Sequence, residues 1–337
     1  MYATIKAVEY YLPEGTLPNS VIASKWPEWT EKKIESKIGI AERHLSGSEE
    51  FTSDMAVIAA RKLFDSGACT PEQIDFLLLC TQTPDYMLPT TACIVQAQLG
   101  LANTIGAVDI SLGCSGYIYS LGYAKGLIET GQAEKVLLIT ADTYTKLIHP
   151  DDKSIVTLFG DAASATLVCA TDRSTPSIGP FVYGTDGGGA NNLIVPNSGV
   201  RGQYNANAPL MEDTMGNKRT ANNLYMNGGE IFSFTLTTVP ATLERLLTKA
   251  KIGLDDIDLV VFHQANLYML KHLQMKMDIP DEKFCVRMKH CGNTVSSTIP
   301  IVLSELMAEG AIQKGQRVLL VGFGVGYSWG ATLVEWE

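Results

Sequence analysis

Asp109-Ile110-Ser111-Leu112-Gly113-Cys114-Ser115-Gly116 is the stretch that decides how this chain reads. A short strand ends, a tight glycine-bearing turn follows, and a helix is expected from Cys114 to Gly131, where glycine offers a left-handed stop. The plan recurs further on. Gly292-Asn293-Thr294 opens a stretch that reads as helix as far as Gly310, and the spacing that carries Gly131 onto Gly310 also carries Cys114 onto Asn293. Both residues are therefore expected at equivalent places, each at a helix N-terminus.

Outward from these two turns, the flanking strands also come in pairs. Ile74-Asp75-Phe76-Leu77-Leu78-Leu79 matches Ile257-Asp258-Leu259-Val260-Val261-Phe262, and Val136-Leu137-Leu138 matches Val318-Leu319-Leu320. Ala165-Thr166-Leu167-Val168 recurs unchanged as Ala331-Thr332-Leu333-Val334. Buried strands resemble one another because all are aliphatic. Pairs in the same order, two at a nearly constant offset, point further, to an internal duplication. Strand-like runs alternating with helix-like ones give an α/β class. The Thr-, Ser- and Pro-rich segment 171–180 marks the boundary, which divides the chain into an N-terminal half, 1–174, and a C-terminal half, 175–337. A pseudo-two-fold between the halves would let Cys114 and Asn293 face each other.

Composition sets the outer bounds. With 337 residues, 46% hydrophobic and 18% charged, the chain supports a sizeable core and is not a disordered segment. A net charge of −10 without a basic run argues against nucleic acid as a partner, although an acidic carrier protein can still dock on a local basic patch. The N-terminal residues do not read as a signal peptide, and no apolar run approaches the ~20 residues of a membrane span. Seven cysteines, an odd number scattered through the chain, fit a reducing cytoplasm rather than a disulfide framework.

Cys114 is the candidate nucleophile. Helix N-terminal N–H groups are expected to lower its pKa and to face an oxyanion formed by attack on a thioester. Cys69, Cys80, Cys93 and Cys169 lie in helix- or strand-like contexts and read as structural. His263, in Phe262-His263-Gln264-Ala265-Asn266, follows an aliphatic strand at its C-terminal end, where α/β proteins place functional groups. Asn293 alone would read as a helix cap. Together the three supply a nucleophile, an acid/base or electrophile, and an amide donor.

Gly113-Cys114-Ser115-Gly116, His263-Gln264-Ala265-Asn266, Gly292-Asn293-Thr294 and Gly322-Phe323-Gly324-Val325-Gly326-Tyr327-Ser328-Trp329-Gly330 resemble the beta-ketoacyl-acyl-carrier-protein synthase III family. Gly39-Ile40-Ala41-Glu42-Arg43, Thr83-Pro84-Asp85-Tyr86-Met87-Leu88-Pro89, Phe159-Gly160-Asp161-Ala162-Ala163 and Met226-Asn227-Gly228-Gly229-Glu230-Ile231-Phe232 support the match, which runs from about Ala7 to Trp336. The resemblance implies the duplicated, five-layered αβαβα thiolase fold and a homodimer. It implies no cofactor: acyl-coenzyme A or acyl carrier protein brings the acyl group, and malonyl-acyl carrier protein brings the extender. In the implied mechanism Cys114 holds the acyl group and His263 and Asn293 stabilise the enolate left by decarboxylation. The N–H groups of Cys114 and Val325 form the oxyanion hole. Substrate contacts carry over to Lys37, Lys153, Phe232, Asn266, Tyr268 and Leu88, the last lent across the dimer.

Lys33 and Lys37 stand where the family's coenzyme A site has Trp and Arg, and Lys153 and Tyr268 each replace an Arg. Lysine meets phosphate without the planar fork of arginine or the stacking face of tryptophan, so a carrier-bound or other acyl donor is expected in place of acetyl-coenzyme A. Two other readings differ in chemistry. A same-fold acyltransferase would pass the acyl group to an alcohol or amine and release no carbon dioxide. A non-catalytic partner of a synthase complex would not need Cys114, His263 and Asn293 together. The Gly322-x-Gly324-x-Gly326 run leads into a strand-like segment, so it is not a dinucleotide fingerprint. Cys285, His290 and Cys291 lack a metal-site spacing, and no metal is expected.

Overall fold

The computed structural model describes residues 1–337, and two five-stranded mixed sheets form its frame. The first sheet contains β1 (Tyr2–Tyr11), β2 (Phe76–Cys80), β3 (Gly106–Ile110), β4 (Lys135–Asp142) and β5 (Ala162–Thr171), in the order β1-β5-β4-β2-β3. The second contains β6 (Ile178–Thr185), β7 (Leu259–Phe262), β8 (Phe284–Cys285), β9 (Arg317–Gly324) and β10 (Ser328–Glu335), in the order β6-β10-β9-β7-β8. The two orders correspond strand for strand. So do the directions: β4, β2 and β3 run parallel, as do β9, β7 and β8, and the two remaining strands of each sheet pair antiparallel.

Strands in the middle of such a stack must be apolar on both faces. Val136 to Asp142 on β4 and Val318 to Gly324 on β9 are buried without a break. Helices α1 (Thr52–Asp65) and α2 (Thr91–Leu99) cover the outer face of the first sheet, burying Met55, Ala59 and Leu63 among others. Helices α3 (Gly116–Glu129) and α6 (Thr298–Ala308) lie between the sheets. Tyr117, Leu121, Ala124 and Ile128 recur at helical spacing on α3, and with Ile299, Val302 and Leu306 of α6 they join Leu138 of the first sheet to Leu320 of the second. Helices α4 (Gly228–Ala250) and α5 (Leu267–Lys276) close the far side. The result is five layers, αβαβα. No helix is long and apolar enough to cross a membrane.

Two local expectations need correction. Helix α3 starts at Gly116, not Cys114; Cys114 lies in the preceding turn, where the Gly116 N–H bonds to the Gly113 carbonyl at 2.7 Å. The stretch after Asn293 is not one helix. Val295–Ser297 form a 3-10 turn and α6 begins at Thr298, because Val295 takes a φ of 55°, a left-handed conformation that a β-branched residue rarely adopts and that no α-helix can contain. Both helices do end beside the expected glycines, with φ of 73° at Gly131 and 66° at Gly310.

Candidate active site

The two pseudo-equivalent turns meet at a small cavity of about 70 Å³, room for roughly two water molecules. Cys114, His263 and Asn293 all line it, with Asn266 and the apolar Leu158, Phe159, Met226 and Phe323. Cys114 reaches it from the turn after β3. Its approach is possible because Gly324 ends β9 bare: a Cβ there would stand 2.7 Å from the Cys114 Cβ and 2.8 Å from its sulfur. A second cavity of about 490 Å³, largely apolar, lies beyond Phe159, but none of the three residues opens onto it.

The electrostatics of Cys114 run against the sequence-based expectation. Burial pushes its thiol up to about 12, and the charge of Asp142 pushes the same way. The N–H groups of Val325 and of Cys114 itself, bonded to the sulfur, draw it down but do not prevail. Val325 and Cys114 thus offer two N–H donors at the reacting sulfur, the pair expected to hold an oxyanion.

His263 continues β7, its N–H bonding to the Val321 carbonyl at 2.8 Å. Gln264 locks the bend that follows: its amide donates to the Phe262 carbonyl at 2.6 Å and accepts from the Arg287 N–H at 2.9 Å. Burial drives the His263 pKa down to about 3, so the ring is neutral at working pH. Its Nδ1 lies 2.7 Å from the Thr298 hydroxyl at the start of α6. Asn293 Oδ1 accepts the Val295 N–H at 3.0 Å, which pins the amide, while Nδ2 makes only a long contact, 3.4 Å, to the Ala265 carbonyl. Thr298 and Asp142 were missed by sequence reasoning. A carboxylate ending the largely aliphatic β4 was the available sign for Asp142; Thr298 gave none.

Residues 108–187 match the family model for 3-oxoacyl-[acyl-carrier-protein (ACP)] synthase III, and residues 247–336 match the model for its C-terminal part. A beta-ketoacyl-[acyl-carrier-protein] synthase III of Clostridioides difficile is 36% identical over 337 residues, covering 99% of this chain and 98% of that one. One from Clostridium perfringens is 35% identical over 325 residues and covers 96% of both. The chain belongs to the beta-ketoacyl-acyl-carrier-protein synthase III family. Solved structures agree. A 3-oxoacyl-(acyl-carrier-protein) synthase III crystal structure is 51% identical with a TM-score of 0.98 and full coverage of both chains. The priming beta-ketosynthase of the R1128 polyketide pathway is 26% identical, with a TM-score of 0.85 over 99% of this chain and 96% of that one.

Apart from Asn266, the family's substrate-facing positions lie outside the small cavity. Lys37 is exposed and makes no ion pair. Lys153 pairs with Glu28 at 3.1 Å, and Lys33 donates to the Glu28 carbonyl at 2.8 Å. The Lys33 ammonium also lies over the ring of Trp29, 5.2 Å from its centroid, so an aromatic face remains one turn from the position where the family's Trp is lost. Trp29 was not singled out in the sequence because it falls outside the family motif. Phe232, Tyr268 and His272 form an aromatic cluster, with Phe232 and Tyr268 centroids 5.5 Å apart. Asn266 Oδ1 caps α5 through the Met269 N–H at 2.9 Å. Leu88 is 86% exposed on its loop.

Proposed function

We propose that this synthase performs a decarboxylative Claisen condensation between an acyl group on Cys114 and a malonyl thioester, malonyl-acyl carrier protein, in fatty-acid or related acyl or polyketide biosynthesis. The observation that carries the reading is the convergence of Cys114, His263 and Asn293 on one small buried cavity. The Cys114 sulfur attacks the donor thioester; the donor leaves as its thiol, taking up the proton the cysteine gives up. The N–H groups of Cys114 and Val325 hold the oxyanion. A malonyl thioester follows. The Asn293 amide and a His263 Nε2–H donate to its thioester carbonyl and stabilise the enolate as carbon dioxide departs. The enolate carbon attacks the acyl-cysteine carbonyl, and collapse of the adduct expels the sulfur and leaves a 3-ketoacyl thioester.

His263 can donate from Nε2 only if Nδ1 accepts. The Thr298 hydroxyl, 2.7 Å from Nδ1 and 3.2 Å from the Val295 carbonyl, fills this role when it donates to Nδ1. The reaction needs no cofactor. The lysines and Tyr268 at the donor site favour delivery by acyl carrier protein, or by a longer acyl-coenzyme A, over acetyl-coenzyme A. Seven unpaired cysteines suit a cytoplasmic enzyme. The open β3 edge suits a homodimer in which each subunit presents Leu88 to the other. Residues 1–174 act as the half that carries the nucleophile, and 175–337 as the half that carries His263 and Asn293.

The test is peptide mapping after incubation with acyl thioesters, followed by carbon dioxide release from malonyl-acyl carrier protein. Acyl label on Cys114 and carbon dioxide released only with the acylated enzyme are expected. Label on Cys80 or Cys291 with Cys114 untouched would sink the reading.

A further inference from the structure

Arg43, Asp142, Asp152 and Asp161 are buried without a part in the mechanism, and of these Asp142 touches both catalytic turns. Asp142 ends β4 and is fully buried. Its Oδ1 accepts the Gln82 backbone N–H at 2.8 Å. Its Oδ2 accepts the Ser296 hydroxyl, and the Ser296 N–H lies 3.4 Å away. Gln82 in turn packs against the nucleophile's turn: its Oε1 is 2.3 Å from where a Cβ on Gly113 would stand. Ser296 follows Val295, whose N–H pins Asn293 Oδ1. One carboxylate therefore joins the segment beside Cys114 to the segment that holds Asn293.

The duplication sharpens the point. The spacing that carries Val136 onto Val318 carries Asp142 onto Gly324, so the two residues end equivalent strands. Gly324 of the second half meets the Cys114 turn of the first, and Asp142 of the first half meets the Asn293 turn of the second. The contacts are reciprocal. One strand end must be bare to clear the sulfur; the other carries a carboxylate that ties the opposite turn down.

A buried carboxylate is costly, and this one has consequences for its neighbours. Burial pushes its pKa up to about 7, opposed by the bonds from Ser296 and Gln82 and aided by the charge of Asp161. The titratable groups around it are Cys80 on β2, Cys114 in its turn, Tyr144 just past β4 and Asp161 before β5. The Val295–Ser297 turn contributes none.

We propose that Asp142 is a positioning residue for the condensation: its carboxylate joins the Gln82 segment beside Cys114 to the Ser296 turn and so fixes Asn293 against the nucleophile. The inference rests on the roles given above to Cys114 and Asn293. The charge of Asp142 also opposes ionisation of the Cys114 thiol, so removing it has effects of opposite sign on the two steps, which a merely structural residue would not produce.

Asp142→Asn in the full-length enzyme tests this. Iodoacetamide alkylation of Cys114 is followed from pH 6 to 10 by peptide mapping, which separates it from the exposed Cys93. Carbon dioxide release from malonyl-acyl carrier protein is followed in parallel. Alkylation above pH 8, where the wild-type carboxylate is charged, is expected to rise, and the gain to fade towards pH 6, where that carboxyl is largely protonated, while carbon dioxide release falls about tenfold. A fall in both, or unchanged alkylation, overturns the proposal. Failure of wild-type Cys114 to take the label overturns instead the assignment of the nucleophile. Should Asp142→Asn fail to fold, Ser296→Ala keeps the carboxylate and removes its hydroxyl partner. It is expected to slow carbon dioxide release about tenfold while acyl transfer to Cys114 persists. Release at the wild-type rate overturns the proposal.

Discussion

Burial pushes the Cys114 thiol up to about 12, which leaves it almost wholly protonated at neutral pH, so in the proposed mechanism its reactivity comes from the N–H groups that meet charge as it develops, not from a standing thiolate. Because the pKa is raised, the thiolate fraction keeps growing with pH through the accessible range. Alkylation of Cys114 should therefore climb steadily from pH 7 to 10; a plateau near neutrality would contradict the raised pKa. His263, its pKa pushed down to about 3 by burial, is neutral at working pH, and in the proposed mechanism it serves as a hydrogen-bond donor and not as a cation. Asn293→Ala and His263→Ala should each keep acyl transfer to Cys114 and lose about 3 kcal/mol of stabilisation in decarboxylation. Thr298→Val should slow carbon dioxide release about tenfold by freeing His263 to take the other tautomer. Normal release from Thr298→Val would remove it from the mechanism. The three lining residues were legible because each follows a strand or a glycine in a recognisable motif. Asp142, Ser296 and Thr298 were not: each is a common polar residue whose partner lies far away in sequence, and only the folded chain brings them together.

At the level of strands and helices, the duplication could be read because it repeats in aliphatic runs, which burial in a stacked fold requires. The starts of α3 and α6 were misplaced for a local reason. Glycine-rich and Ser/Thr-rich turns before helices have the composition of helix N-termini, and a valine at positive φ leaves no mark in the sequence. What those turns achieve is close approach, and the end of β9 sets its limit. Gly324→Ala would put a methyl group 2.7 Å from the Cys114 Cβ and 2.8 Å from its sulfur. The variant should fold, since the strand carries the change at its last residue, yet lose acyl transfer by roughly 100-fold through displacement of the nucleophile. Circular dichroism and acyl-enzyme mass spectrometry would check the two halves of that expectation. An active Gly324→Ala enzyme would show that the turn has slack.

Across the whole molecule, β3 is the exposed end of the first sheet and has hydrogen-bonded neighbours on one side only. Val108 on that strand is 40% exposed, and Tyr123 on the adjacent face of α3 is 54% exposed. An open apolar edge of this kind is normally covered. Sedimentation velocity should give twice the 36.5 kDa of one chain, and Tyr123→Asp should shift the species towards the monomer. A monomeric wild-type protein at micromolar concentration would remove the dimer from the proposed function.

The size of the catalytic cavity has a consequence for the order of events. About 70 Å³ beside Cys114 leaves room for one carrier arm at a time next to the acyl group. In the proposed reaction the first carrier then departs before the second delivers its cargo, and the enzyme alternates between a free and an acylated form. Initial rates with the two substrates varied together should give parallel double-reciprocal lines. Each substrate in excess should inhibit by occupying the form meant for the other. Lines that converge would mean that both carriers are held at once.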